Sequence, residues 1–234
     1  SFSKGASQQT YPSSQMGAIA LLRQALYDLD YYSKNKASLP YSVSLSEWES
    51  QRNLPIIFKT DDKLEILRAQ KIANEFKTNF LYIGSGNEYA IANELKGFKI
   101  VLPLVFPEAY EVNDPYLARE IPLSELKHWE SAPSNAMLLK KEGLDIALTS
   151  FGLKNAEQFW TALRKAMARG LAPSDAMAAL TTVPANWMGL SAQVGTLESG
   201  KLASFSVFSA DPFAYEAQLL ETWSLGEARY WKSA

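Results

Sequence analysis

The run Gly84-Ser-Gly-Asn-Glu88 holds the residue types and spacing in this chain that best suit chemistry. A glycine-rich turn between a strand and a helix exposes backbone N–H groups at a helix N-terminus, where an anion is favoured. Gly84, Ser85, Gly86, Asn87 and Glu88 are therefore the candidate ligand-binding residues. The run lacks the longer patterns that cradle phosphates. The same residues also read as a tight turn with Ser85 or Asn87 as helix N-cap.

Other groups able to do chemistry are scattered. His128, in Leu126-Lys-His-Trp129, is the single histidine, and there is no cysteine. A lone helical histidine beside a tryptophan suits packing or a surface position better than metal ligation. It is also the sole base for a Ser-His-Asp relay, and it lies away from any strand end, so no such relay is expected. Asp61, Asp62, Glu108, Glu111 and Asp114 fall in loops after strand ends, where acids either hold a hard cation or are solvated.

These residues need elements to position them. The chain has 234 residues, 47% of them apolar, which is enough for a sizeable core. Its 23 basic and 25 acidic residues leave no basic patch for nucleic acid. No apolar run reaches the roughly 20 residues of a membrane span. Zero cysteine excludes disulfides without fixing a compartment. The start at Ser-Phe-Ser suggests a trimmed longer parent, which leaves a periplasmic or extracellular location open.

Ser1 to Thr10 read as a flexible lead, and Ser13 or Ser14 as the cap of a helix with apolar stripe Ile19, Leu22, Leu26 and Leu29. A polar loop from Ser33 to Ser42 precedes a second helix with Leu45 and Trp48. Short apolar strands follow at 54–58, 79–83, 99–102 and 145–148, alternating with helices at 64–76, 88–95 and 123–142. That alternation predicts an α/β fold with a parallel sheet of about four βα units. Two more helices cover 155–169 and, with Ser174 as cap, the stretch up to Pro184. Gly195-Thr-Leu, 203–208, 221–225 and 226–230 read as strands, so 1–190 is expected to be one unit and 191–234 a small β unit.

The stretch from Gly170 to Lys201 identifies a relationship. Gly170-Leu171, Ala176, Leu180-Thr181, Pro184-Ala185 and Met188-Gly189-Leu190, followed by Gly195-Thr-Leu-Glu-Ser-Gly-Lys-Leu-Ala203 and Asp211-Pro-Phe213, resemble the C-terminal signature of the amidohydrolase superfamily, in its imidazolonepropionase-like branch. Ser204 stands where that family usually has Asp. The resemblance implies a metal-dependent hydrolase on a (β/α)8, TIM-like barrel. Four βα units would be the second half of that barrel, and the tail a segment of the accompanying β-sandwich. Tyr11-Pro-Ser-Ser-Gln-Met-Gly-Ala-Ile-Ala-Leu-Leu-Arg-Gln24 is similar to one half of large two-part bacterial amidohydrolases.

The family resemblance further implies a divalent metal, usually Zn, held by His-x-His after the first strand, Lys or Glu after the fourth, His after the fifth and sixth, and Asp after the eighth. Such a metal lowers the pKa of bound water. Here Lys59-Thr60 and Gly84-Ser-Gly86 follow the fifth and sixth strand candidates, and Phe151 stands where the Asp would be. No metal or other cofactor is therefore expected in this chain, and the domain reads as degenerate, with a structural or partner-docking role. Its partner would be a missing N-terminal half or a second chain covering the open barrel edges. Two alternatives remain: an active metal hydrolase with its other ligands on a missing N-terminal part, and a peptide- or sugar-binding module.

Overall fold

The computed structural model describes residues 11–231, so the lead Ser1 to Thr10 lies outside the described residues. Two compact units divide at Ser85 and Gly86. The first opens with helix α1 (Gln15–Asn35), whose cap is Ser14: its hydroxyl accepts the Gly17 N–H. Leu26, Leu29 and Tyr32 form the buried end of its stripe. The helix runs through Asn35, so the polar loop begins later than the composition suggests. Helix α2 (Val43–Ser50) follows, capped by Ser42.

Strand β1 (Ile56–Lys59), helix α3 (Lys63–Phe76) and strand β2 (Phe80–Ile83) make one βα unit, with β1 and β2 parallel and Ile56 opposite Phe80. Helix α3 buries Ile66, Ala69, Ile72 and Ala73 at helical spacing. Burying each of the two isoleucines stabilises the fold by about 1.5–3 kcal/mol. The strands add an aromatic cluster: Phe58 and Phe80 stack at 5.2 Å between centroids, and Tyr82 lies edge-on to Phe80 at 6.0 Å. The buried Tyr82 hydroxyl donates to Gln70 Oε1 at 2.6 Å. Helix α1 is tied to α3 at its surface, where Arg23 and the Tyr27 hydroxyl both donate to the Glu75 carboxylate.

The second unit opens with a turn and a 3-10 segment, Glu88–Leu95, broken at Ile91, where an α-helix was expected. Strand β3 (Lys99–Pro103) and strand β4 (Ile146–Thr149) pair in parallel, with Ile100 opposite Ile146. Between them lie α4 (Pro115–Glu120), α5 (Leu123–Ser131) and α6 (Asn135–Lys141). The single helix expected over 123–142 is thus interrupted, because Pro133 has no N–H to continue the ladder and a 3-10 turn takes its place. Helix α4 was not foreseen; Pro115 starts it and Asp114 caps it through the Tyr116 N–H.

Helix α7 (Ala156–Ala168) is capped by Asn155 and followed by Gly170 at φ +104°, in the left-handed region that favours glycine. Helix α8 (Pro173–Leu180) starts at Pro173 itself, so Ala172 holds the cap position and Ser174 lies inside the first turn. Pro184 lies in the first turn of a further helix, α9 (Thr182–Trp187), and the preceding helix has already ended at Leu180. Gly195 sits against it: a Cβ there would lie 2.9 Å from Ala185 Cβ. Gly195-Thr-Leu is loop, not strand. The tail sheet is β5 (Phe205–Phe208), β6 (Leu219–Ser224) and β7 (Glu227–Tyr230), antiparallel in that order. Its hairpin turns on Leu225 and Gly226, both at positive φ.

Burial pushes the Tyr82 hydroxyl well above the ordinary tyrosine range. A group whose folded pKa is raised contributes stability that is complete below its unfolded pKa, about 10, and is lost as pH rises beyond it. The thermal midpoint should fall between about pH 9.5 and 11, and Tyr82→Phe should remove part of that fall while costing about 1 kcal/mol at pH 7 through the hydrogen bond lost at Gln70 Oε1. An unchanged alkaline slope in the variant would show that Tyr82 does not set it.

Candidate functional site

The Gly84–Glu88 run lies where the sequence places it, after β2, but its amide is already in use. Glu88 is fully buried. Its two carboxylate oxygens accept the Gly86 N–H at 3.2 and 3.1 Å, and Oε2 also accepts Asn135 Nδ2 at 2.7 Å. Asn135, the first residue of α6, turns its Oδ1 to the Tyr89 N–H at 2.8 Å. Gly86 has φ +94°, so glycine is required at the bend. Asn87 holds the cap position, and Gly84 is buried while Ser85 is half-buried. The anion seated on this turn is thus the chain's own carboxylate.

His128 belongs to the same region. Its Nδ1 lies 3.1 Å from the Tyr89 hydroxyl, and the two rings stack at 6.0 Å between centroids. Burial pushes the Tyr89 hydroxyl above its ordinary value. The lone histidine therefore orients α5 against the Tyr89 turn. Sequence spacing gives no hint of the Glu88–Asn135 and Tyr89–His128 pairs, which join residues 47 and 39 positions apart.

Four of the five loop acids make local contacts, Asp114 as the cap of α4. Asp62 caps α3 through the Leu64 and Glu65 N–H groups, Asp61 pairs with Lys59 at 3.0 Å, and Glu111 accepts the Asn113 N–H. Among the described residues no three His, Asp or Glu side chains are grouped to hold a metal ion. Thr60 is buried and donates its hydroxyl to Ile83 O at 2.8 Å. After β4, the Thr149 hydroxyl accepts the Phe151 N–H at 3.1 Å, and Phe151 stands half exposed.

Within the second unit a cleft of about 930 Å³ lies between the β3 exit, α7 and the tail. Phe106, Trp160, Phe208 and Tyr215 line it with Arg164 and Lys165. Arg164 is committed to the tail: Nε donates to Phe213 O at 2.8 Å, Nη2 to Ala214 O at 2.7 Å, and the guanidinium carbon lies 4.6 Å from the Tyr215 ring centre. Lys165 Nζ lies 5.5 Å from the centre of the Phe106 ring.

Residues 111–228, just over half of the chain, match the model of the amidohydrolase family. The chain belongs to the amidohydrolase family. Among solved structures it is similar to an amidohydrolase from Thermotoga maritima, with a TM-score of 0.78 and 23% identity over 96% of this chain and 58% of that one. It is also similar to a prolidase solved with N-methylphosphonate-L-proline, with a TM-score of 0.60 and 14% identity over 99% of this chain and 65% of the other. A third similar structure, of another amidohydrolase, has a TM-score of 0.56 and 17% identity over 79% and 46%. No curated protein matches the sequence. The chain spans less than two thirds of the length of each of these solved relatives.

These likenesses show the fold of this amidohydrolase chain: four βα units of a (β/α)8 barrel, followed by a small antiparallel sheet. No helix among the described residues is long and apolar enough to cross a membrane. Chemistry in such barrels sits at the C-terminal ends of the strands. The residues at the strand ends, Lys59-Thr60 and Gly84-Ser85 in the first unit and Pro103-Leu104 and Thr149-Ser150-Phe151 in the second, include no carboxylate, imidazole or thiolate, the side chains that hold zinc.

The buried Glu88 carboxylate makes a direct expectation possible. Asn135→Ala strips a donor from a carboxylate without access to water, and should lower unfolding stability by about 1–3 kcal/mol. Urea denaturation of the variant measures it; a loss below a few tenths would mean that Asn135 does not support Glu88.

Proposed function

We propose that this chain is one half of an amidohydrolase barrel that contributes no metal ligand and acts by completing and supporting a larger barrel assembly. The observation that carries this reading is the side chain at the end of β4. Phe151 stands where the amidohydrolase resemblance calls for the Asp that binds metal and accepts the proton of the attacking water, and an aromatic ring does neither. The other strand ends support it, since the Thr60 hydroxyl and the Gly86 amide serve backbone and carboxylate partners of the fold itself.

In this reading residues 1–190 form the barrel half and 191–234 the sandwich segment. A complementary half, on the same polypeptide or a second chain, covers the lateral edges of the strands, because an exposed parallel edge is otherwise open to aggregation. β1 fits this role: Ile57 is exposed on the strand although it is β-branched and apolar. Any hydrolytic chemistry of the assembly belongs to the complementary half.

Metal analysis of the full-length protein tests this. Replacing Lys59, Ser85 and Ser150 with alanine should leave its bound metal unchanged. Loss of stoichiometric Zn, Fe or Mn on those replacements would overturn the reading, and so would a metal bridged by these residues in a crystal structure of the assembly.

A further inference from the structure

Between β3 and α6, helices α4 and α5 bury none of their residues. Six and nine residues are too few for a helix to persist alone in water, so such helices depend on covering one face. The excursion nevertheless exposes Val112, Tyr116, Leu117, Leu123, Leu126 and Trp129. On α5, Leu123, Leu126 and Trp129 recur at intervals of three and share one side of the helix. At about 100° per residue His128 falls on the opposite side. It is there that Nδ1 meets the Tyr89 hydroxyl at 3.1 Å. The helix is thus anchored by its histidine with its apolar stripe turned away from the anchor.

The segment that carries the stripe is acidic. Between Glu108 and Glu130 six acids (Glu108, Glu111, Asp114, Glu120, Glu125 and Glu130) stand against two bases, Arg119 and Lys127. The segment carries a net charge of -4 where the whole chain carries -2. An acidic surface repels the anionic headgroups of a membrane and the phosphates of nucleic acid, and attracts a basic protein surface. A complementary barrel half would join at the lateral edges of the strands, whereas this excursion leaves from the C-terminal end of β3.

We propose that the α4–α5 stripe is a docking surface for a separate protein chain presenting an apolar segment flanked by lysine or arginine. The proposal goes beyond the supporting role argued above and is tested apart from it. Apolar contacts give such an interface its affinity, and the acidic flanks set its orientation and association rate.

Zero-length carbodiimide coupling, which joins carboxylates to amines, tests it on the full-length protein in its native extract, with cross-linked peptides read by mass spectrometry. Glu120, Glu125 and Glu130 should couple to lysines that flank an apolar segment of one other protein. Leu123→Ser with Leu126→Ser should cut the yield by about tenfold, as should half-molar salt. Leu123 is two-thirds exposed and Leu126 just over a third, so the thermal midpoint of the variant should fall by only a few degrees and its unfolding stay cooperative, which separates lost docking from lost folding. Coupling confined to the same polypeptide, to a second copy of this chain or to no protein at all would overturn the proposal, as would an undiminished yield in the variant. The metal analysis reads the supporting role independently: ligation by the strand ends with intact cross-links would remove that role and leave the docking surface standing.

Discussion

A carboxylate without access to water must be fully hydrogen-bonded, and the second unit is arranged around that demand at Glu88. Its donors come from the turn two residues upstream and from the first residue of α6. Asn135 then spends its remaining acceptor on the Tyr89 N–H, which fixes the start of the 3-10 segment. Tyr89 in turn meets His128 on α5. One buried carboxyl group thereby sets the positions of a turn, a 3-10 segment and two helices, and with them the orientation of the excursion that carries the exposed stripe.

This arrangement explains which parts of the molecule can be read from sequence. Strands at 56–59, 80–83, 99–103 and 146–149 announce themselves as short apolar runs bounded by turn residues, and α3 and α7 by helical periodicity and by the Asp62 and Asn155 caps. Local signals fail where the deciding interaction is distant or where two local rules compete. Pro133 breaks a pattern that periodicity alone carries to residue 142, and Pro184 sits in the first turn of a helix, where its missing N–H has no intrahelical partner to lose. Gly195-Thr-Leu alternates like a strand but is held as a loop against Ala185. At the candidate site the Gly-rich turn was legible, while the identity of its anion was not, because Asn135 lies 47 residues away.

Family signature and family chemistry occupy different places in this chain. The signature residues Ala185 and Gly195 touch each other, and they match because packing demands them. The strand ends, which would hold the metal, carry Thr60, Gly84, Leu104 and Phe151. A fold persists through its packing while its sites change independently, so the match over 111–228 states ancestry and architecture.

Arg164 has a consequence for how the molecule opens. Its single guanidinium holds two successive carbonyls, of Phe213 and Ala214, and lies against Tyr215, so the loop between β5 and β6 is fastened to the middle of α7. Detaching the tail sheet would release three contacts at once and leave a half-buried cation without partners. The guanidinium thus couples the helix to the sheet, although among the described residues no strand of the tail pairs with any strand of the barrel half.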